Sequence, residues 1–480
     1  MQKIIRNVRA ARVLPVLFAS VLAACGGGGG SAGPDGGSAA DSVSAGPGPG
    51  SASGSGPGAG GAAAGTPAGP APAPAASTAQ YQVNTTTAGS QTQPSVAQLA
   101  DGGHVIAWLS SPAWLSGAAA EEAPQTQGVC WRRFTAAWAP SGNEVCIPLE
   151  QPRAVRVAPV GDGFVVAWSP NPTRSAQVYS GGEIQFQRYA VDGSATGPVQ
   201  QVHAPGGASF GFDLAALDDG GFVVAWQHDP DGDNTDTAIM MRRFSGLGEA
   251  VTEPQQVYGQ TGRRMDGASV EALAGGGWII AWTANDDSGL NPPTVYTQRF
   301  HANGTPAGAV ALLSAEPALS PTLGGLRYGG YVVAWMDRNA AVRMQRFAAD
   351  GAAAGAVIEI DPPSQQPQGT CSARGVPTRS CPPQQVPHAV QTLEDGSFVI
   401  AYKNTQFDGN AANSTERLRR YSADGALLGA AELDIHHGAA ALAASSGGVL
   451  VAWQHLTTTA TDFDVFARRM ETAELRQPAR

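Results

Sequence analysis

A handful of side chains in this sequence have the types and spacing to do chemistry. Cys130 with Cys146 and Cys371 with Cys381 form two close pairs among the five cysteines, and in an oxidising compartment such pairs close as disulfides. Zinc is the competing use, but neither pair has Cys-x-x-Cys spacing or histidines beside it. The loop from Asp229 to Asp236 is the one dense carboxylate cluster. Its Asp229, Asp231, Asp233 and Asp236 place hard oxygens at nearly alternating positions, the donor set that calcium takes. The loop departs from an EF-hand, since Gly232 stands at its fourth place and Met240 where a bidentate glutamate belongs. A solvated turn is the competing reading. Calcium is the only cofactor these residues suggest.

His228 and His455 each end a Trp-Gln-His step and stand where loops begin. Trp114 lies in the longest insertion, where an indole could meet a sugar ring. These three are the candidate ligand-binding residues. No nucleophile elbow, metal-ligand histidine spacing or Cys/His pairing accompanies them, so no catalytic residue is assigned. The net charge of −10, without a basic stripe, argues against nucleic acid as a partner.

The elements that must position these residues are legible as a repeat. One phrase, of the form Gly-Gly-Phe-Val-Val-Ala-Trp, ends at Trp108, Trp168, Trp226, Trp282, Trp335, Tyr402 and Trp453, about 57 residues apart on average. A second phrase trails each copy: Arg133-Phe134, Arg188-Tyr189, Arg243-Phe244, Arg299-Phe300, Arg346-Phe347, Arg420-Tyr421 and, without the aromatic, Arg469-Met470. The first phrase is apolar on both faces, as a strand between two neighbouring sheets must be. Asp-Gly, Asn-Gly and Gly-Gly pairs punctuate each copy, the residues that tight hairpins select because their backbone visits positive φ.

Each copy therefore reads as four antiparallel strands, and seven copies without a helical pattern between them read as an all-β, seven-bladed propeller. The seventh repeat lacks a fourth strand of its own. Tyr81-Gln82-Val83-Asn84 resembles the fourth-strand segments elsewhere, so it is expected to complete the last blade and close the ring. An open stack of repeats is the alternative. The repeated arginines are expected to be structural, stacking on a neighbouring Trp or bonding to carbonyls.

Residues 26 to 78 are almost entirely Gly, Ala, Pro and Ser, too poor in apolar side chains to fold. As a flexible chain they would reach roughly 40 Å. Before them stand Lys3, Arg6, Arg9 and Arg12, then an apolar run too short to span a bilayer stably. That run ends in Leu22-Ala23-Ala24-Cys25, which resembles the lipobox of bacterial lipoproteins. The resemblance implies cleavage after residue 24, a lipidated Cys25 and a membrane-tethered domain over residues 79 to 474, with a short tail behind it. Gly26 in place of aspartate implies sorting to the outer membrane.

The repeat itself resembles the Asp-Gly-Gly-Phe-Val-Val-Ala-Trp repeats of large bacterial surface and secreted proteins, over residues 79 to about 470. That likeness implies an adhesive or scaffold module presenting a binding surface for protein or glycan; the chain is expected to be a monomer. Those repeats often carry Asp-Gly-Ser-Gly or Asp-Gly-Asp-Gly before the third strand, and only the Asp229 loop comes near it. The insertions Leu109 to Gly128, Ser169 to Glu183, Gln227 to Thr237, Thr283 to Thr294, Lys403 to Glu416 and Pro362 to Val386 all belong to one face, where ligand recognition is expected. A propeller enzyme acting on glycans, a hydrolase or a lyase, is the alternative, and an envelope scaffold is a third reading.

Overall fold

The computed structural model describes residues 80–111, 127–175, 178–286, 292–362, 369–371, 379–381, 383–409, 411–433, 438–456 and 462–476. Every one of the seven Ala-Trp or Ala-Tyr phrases lies in a strand that runs second in its sheet, such as Phe222–Asp229 and Trp278–Asn285. These strands are buried on both faces because each sheet is covered by a neighbour on either side. The fold is a seven-bladed propeller of four-stranded antiparallel sheets, and the described residues contain no helix.

In blade 3 the strands Ala208–Ala216, Phe222–Asp229, Ala238–Phe244 and Gln255–Gly259 follow one another from axis to rim. The other blades repeat this order, and blade 6 adds a hairpin, Gly369–Cys371 with Arg379–Cys381, whose first strand runs parallel to Phe398–Gly409. First strands lie against one another around the axis, from Ser90–Gln98 in blade 1 to Ala441–Ser445 in blade 7, which in turn lies against blade 1. Seven apolar clusters fill the seams between adjacent blades. Each repeat's Trp or Tyr faces the preceding blade, so Trp226 packs with Val165 and Phe186, and Trp108 packs with Leu450 and Val465 of blade 7.

Tyr81–Gln82 pairs with the last strand, Phe463–Glu471, through Tyr81↔Ala467 and Gln82↔Phe466. Blade 7 thus takes its fourth strand from the other end of the domain. The segment that follows is pinned by Glu144, whose carboxylate accepts from Thr85 N (2.6 Å), Thr85 Oγ1 (2.8 Å) and Thr86 N (3.2 Å).

The repeated arginines tie strands to hairpins. Arg133, Arg243 and Arg420 donate to Asp101, Asp219 and Asp395 in the first hairpin of their own blades. Arg188, Arg299 and Arg346 reach the next blade, donating to the carbonyls of Leu247, Ala349 and Ala423. Of the two expected uses, bonding to carbonyls is what Arg188, Arg299 and Arg346 do; stacking on Trp is not, since Arg243 pairs with Val223 and Met240 with Trp226, so guanidinium and indole sit three residues apart along the strands. The glycines of the hairpins these three reach, Gly248, Gly351 and Gly425, fit closely against Arg188, Arg299 and Arg346. At Gly351, with φ +89°, an added Cβ would lie 2.7 Å from Arg299 Nε. In blades 2 to 6 the aromatic after the arginine stacks on an aromatic at the start of the second strand, as in Phe222 with Phe244 at 5.0 Å.

Candidate functional site

First strands begin, and second strands finish, at one end of the propeller, and there the regular pattern breaks. Six of the seven first strands slip register close to their start, between Thr92 and Ser95, Pro152 and Ala154, Ser209 and Phe212, Asp266 and Ser269, Leu319 and Thr322, and Pro387 and Ala389. A bulge re-aims its side chain out of the alternation. Gln93 (φ 52°) and Ser320 (φ 53°) even take a left-handed backbone there. The expected first strands, Ser95 to Leu99 and Ala389 to Leu393, are accordingly too short: they run Ser90–Gln98 and Gln384–Thr392, because the bulge hides their alternation.

In blade 6 the bulge presents His388. Its Nε2 lies 2.7 Å from Glu416 Oε1, with side-chain exposures of 15% for the histidine and 1% for the glutamate. The approach is close but not aligned as a hydrogen bond, and neither Glu416 oxygen has an aligned donor. Lys403 is the cross-strand partner of Glu416 and is half-buried. Burial lowers the Lys403 pKa, against the pull of the Glu416 charge. One sealed carboxylate thus faces two basic side chains, an arrangement able to hold an anion or move a proton.

Other charged groups near the axis are engaged by the fold. Arg156 pairs with Asp213 at 3.0 Å, and Asp213 also accepts from Val270 N (3.0 Å), one blade further on. Glu271 accepts from Gly325 N (3.1 Å) of the following blade, and burial pushes its carboxyl up to about 7. These contacts satisfy first-strand N–H groups that face no further strand. Asp361, in the crossing to blade 6, accepts from the Tyr402 hydroxyl and from Arg419, while Arg417 reaches Glu432 at 3.0 Å. Tyr402 thereby gains a partner that a Trp could not offer in the same way.

The residues singled out in the sequence are scattered over separate blades. His228 is half-buried in blade 3, edge-on to His203 at 6.0 Å, and burial lowers its pKa. His203 itself stacks on Trp226 at 5.1 Å. His455, in blade 7, meets Phe466 edge-on at 5.8 Å. Trp114 and Cys25 lie outside the described residues. Cys130 and Cys146 are joined in a disulfide between the third and fourth strands of blade 1. The backbones of Gly369–Cys371 and Arg379–Cys381 pair as a hairpin, but the side chains of Cys371 and Cys381 lie outside the described residues.

Oxygens of Asp229, Asp231 and Asp233 come within 4.8 Å of one another. The buried Asp229 already accepts from Gly232 N (2.9 Å) and Asn234 N (2.6 Å), and Asp233 accepts from Thr235 N (2.9 Å). Asp236 points elsewhere, to Gly262 N. As a donor set for calcium, three carboxylates converge and the fourth does not.

Sequence reasoning misses His388, Lys403 and Glu416, since His388 carries no ligand spacing. The Val386-Pro387-His388 step, which places a proline inside a strand pattern, is the signal that a bulge sits there.

No protein-family model matches this chain, and no curated protein matches it in sequence. Among solved structures it is similar to a protein of unknown function from Dyadobacter fermentans, at 13% identity and a TM-score of 0.44, covering 82% of this chain and 97% of that one. It is also similar to an ulvan lyase of a polysaccharide lyase family, at 9% identity and TM-score 0.46 over 84% and 100% of the two chains. An α-L-arabinanase from Penicillium chrysogenum gives 12% and 0.40 over 74% and 98%. The propeller itself rests on the sheet order and the seven seams.

Proposed function

We propose that this chain is an outer-membrane lipoprotein, lipidated at Cys25 and spaced from the lipid by residues 26 to 78, whose monomeric propeller binds a glycan or protein ligand at its loop-bearing end. The observation that supports this most is the asymmetry of the two ends. One end carries near-identical short hairpins; the other carries an inserted hairpin, Thr173–Ser175 with Val178–Ser180, and the long arms Phe398–Gly409 and Ala411–Tyr421. Variable loops on a rigid scaffold are where recognition concentrates.

The test is an array of envelope glycans and proteins probed with the full lipoprotein, beside a variant in which residues 171 to 182 are replaced by a tight turn. Binding that the variant loses supports the reading, and a blank array contradicts it. A Cys25→Ser variant is expected to leave the membrane fraction. A second reading is a glycan-cleaving enzyme, favoured by one observation, the imidazole of His388 set against a buried carboxylate. Release of new reducing ends or unsaturated sugars from envelope polysaccharide, abolished in His388→Gln, would establish it.

A further inference from the structure

A carboxylate removed from water is costly unless neighbouring charges or donors balance it. Glu416 is in that position, with 1% of its side chain exposed, and so cannot itself meet a ligand. Its balance comes from His388, whose Nε2 is buried against it, and from Lys403 across the strand pair. With Nε2 turned to the buried carboxylate, what the imidazole offers a ligand is its Nδ1 side, and half-buried Lys403 lies across the strand pair from the same carboxylate. Two bases share one acid, so the groups this cluster can offer to a ligand are basic.

The surrounding charges do not cancel that excess. On the same blade, Arg417 and Arg419 are matched by Glu432 and Asp361, through contacts of 3.0 Å for Arg417 with Glu432 and a direct pair for Arg419 with Asp361. Beyond the cluster, toward the strand tips, Gln384 is exposed and Thr405 and Gln406 are half-exposed. Amides and hydroxyls of this kind pair with sugar hydroxyls.

We propose that His388 and Lys403, positioned by Glu416, form a binding site for an oxyanion of an acidic glycan, a uronate carboxylate or a sulfate ester, at the loop-bearing end of blade 6. This rests on the reading of that end as the ligand-binding surface and names the class of ligand. Lys403 supplies the fixed charge and His388 a directional donor or acceptor. Glu416 is a positioning residue that never touches the ligand.

The experiment is calorimetric titration of the full chain with galacturonate oligomers, a sulfated galactose oligomer and their neutral counterparts, at low and high salt. Acidic sugars are expected to bind, neutral ones about tenfold more weakly or worse, with affinity falling as salt rises. Lys403→Gln, at a half-exposed site, is expected to stay folded by its melting curve and to lose about tenfold in affinity. His388→Gln loses several-fold, and Glu416→Gln, which releases the imidazole it positions, also loses several-fold. Equal binding of acidic and neutral sugars, or indifference to Lys403→Gln, overturns the site. Other ligands that bind this end regardless of Lys403→Gln overturn it while the broader reading stands. A chain that binds nothing there overturns both.

Discussion

Turns at one end of the blades are near copies of one another, whereas those at the opposite end share neither length nor content. At the first end, Leu99, Leu217, Leu273, Leu326 and Leu393 each donate to the carbonyl four residues on, closing the same hairpin five times. Thr135, Ala190, Ser245, His301, Ala348 and Ser422 do likewise in the second hairpin set. At the other end six first strands share a bulge, but an inserted hairpin in blade 2 and extended arms in blade 6 break that uniformity. Both ends share the same seams and the same strands. Packing thus dictates one end and leaves the other free to vary, as a ligand-binding surface would need.

The largest test of this contrast is to cut what both ends share. Trp282, wholly buried in the seam between blades 3 and 4, should cost about 3–5 kcal/mol when replaced by alanine. The urea midpoint measures it, and a loss confined to one end, seen by hydrogen exchange, would mean the seams are not common property.

Next in size is the pH response of the axis. Glu271 has its carboxyl raised to about 7 by burial, above the usual glutamate value. The folded state therefore holds a proton there that the unfolded chain has released, so this contribution is present at low pH and is lost as pH rises through about 7. Stability of the wild type relative to Glu271→Gln should fall between pH 5 and pH 8, by at most about 3 kcal/mol. A flat difference would contradict the burial of this carboxyl.

Smaller, and specific to the hairpin end, is the fit of arginine to glycine. Gly351 and Gly262 both have positive φ, +89° and +74°, yet a Cβ at Gly351 meets Arg299 whereas one at Gly262 meets nothing within 4 Å. Gly351→Ala should cost about 1–3 kcal/mol and Gly262→Ala roughly 1 kcal/mol less. Gly262 lies in the crossing from blade 3 to blade 4 and serves as the comparison, so equal costs would show that backbone strain alone, without the arginine contact, sets the cost at Gly351. The smallest effect is expected at the loop end: Asp233, exposed and accepting from the N–H and hydroxyl of Thr235 two residues on, should leave the melting temperature nearly unchanged as Asp233→Asn. A larger calcium-dependent shift in melting would mark the Asp229 loop as a metal site.

Much of the fold can be read from the sequence because the repeat writes each structural demand seven times. Phe-Val-Val-Ala-Trp announces a doubly covered strand, and Asp-Gly announces a hairpin whose glycine must take positive φ. The closing strand is legible through Tyr81-Gln82, which looks like its counterparts. The site is not, since a bulge leaves no period of its own and His388, Lys403 and Glu416 meet only through strand register. Those residues are scattered over three strands, 28 positions from first to last. His228 and His455 stand out by sharing a tripeptide, yet that likeness only reflects equivalent places in blades 3 and 7. The arginines are legible as structural but not in their targets, because the hairpin that several of them reach belongs to the next blade.

The most direct test of the proposed binding surface is hydroxyl-radical footprinting of the full chain mixed with a cell-envelope fraction, read against the protein alone. Protection is predicted at the loop-bearing end, around Gln384, Lys403 and the Thr173–Ser180 hairpin, with the Asp-Gly hairpins at the opposite end unchanged. Protection of those hairpins with the loops left bare would contradict the account.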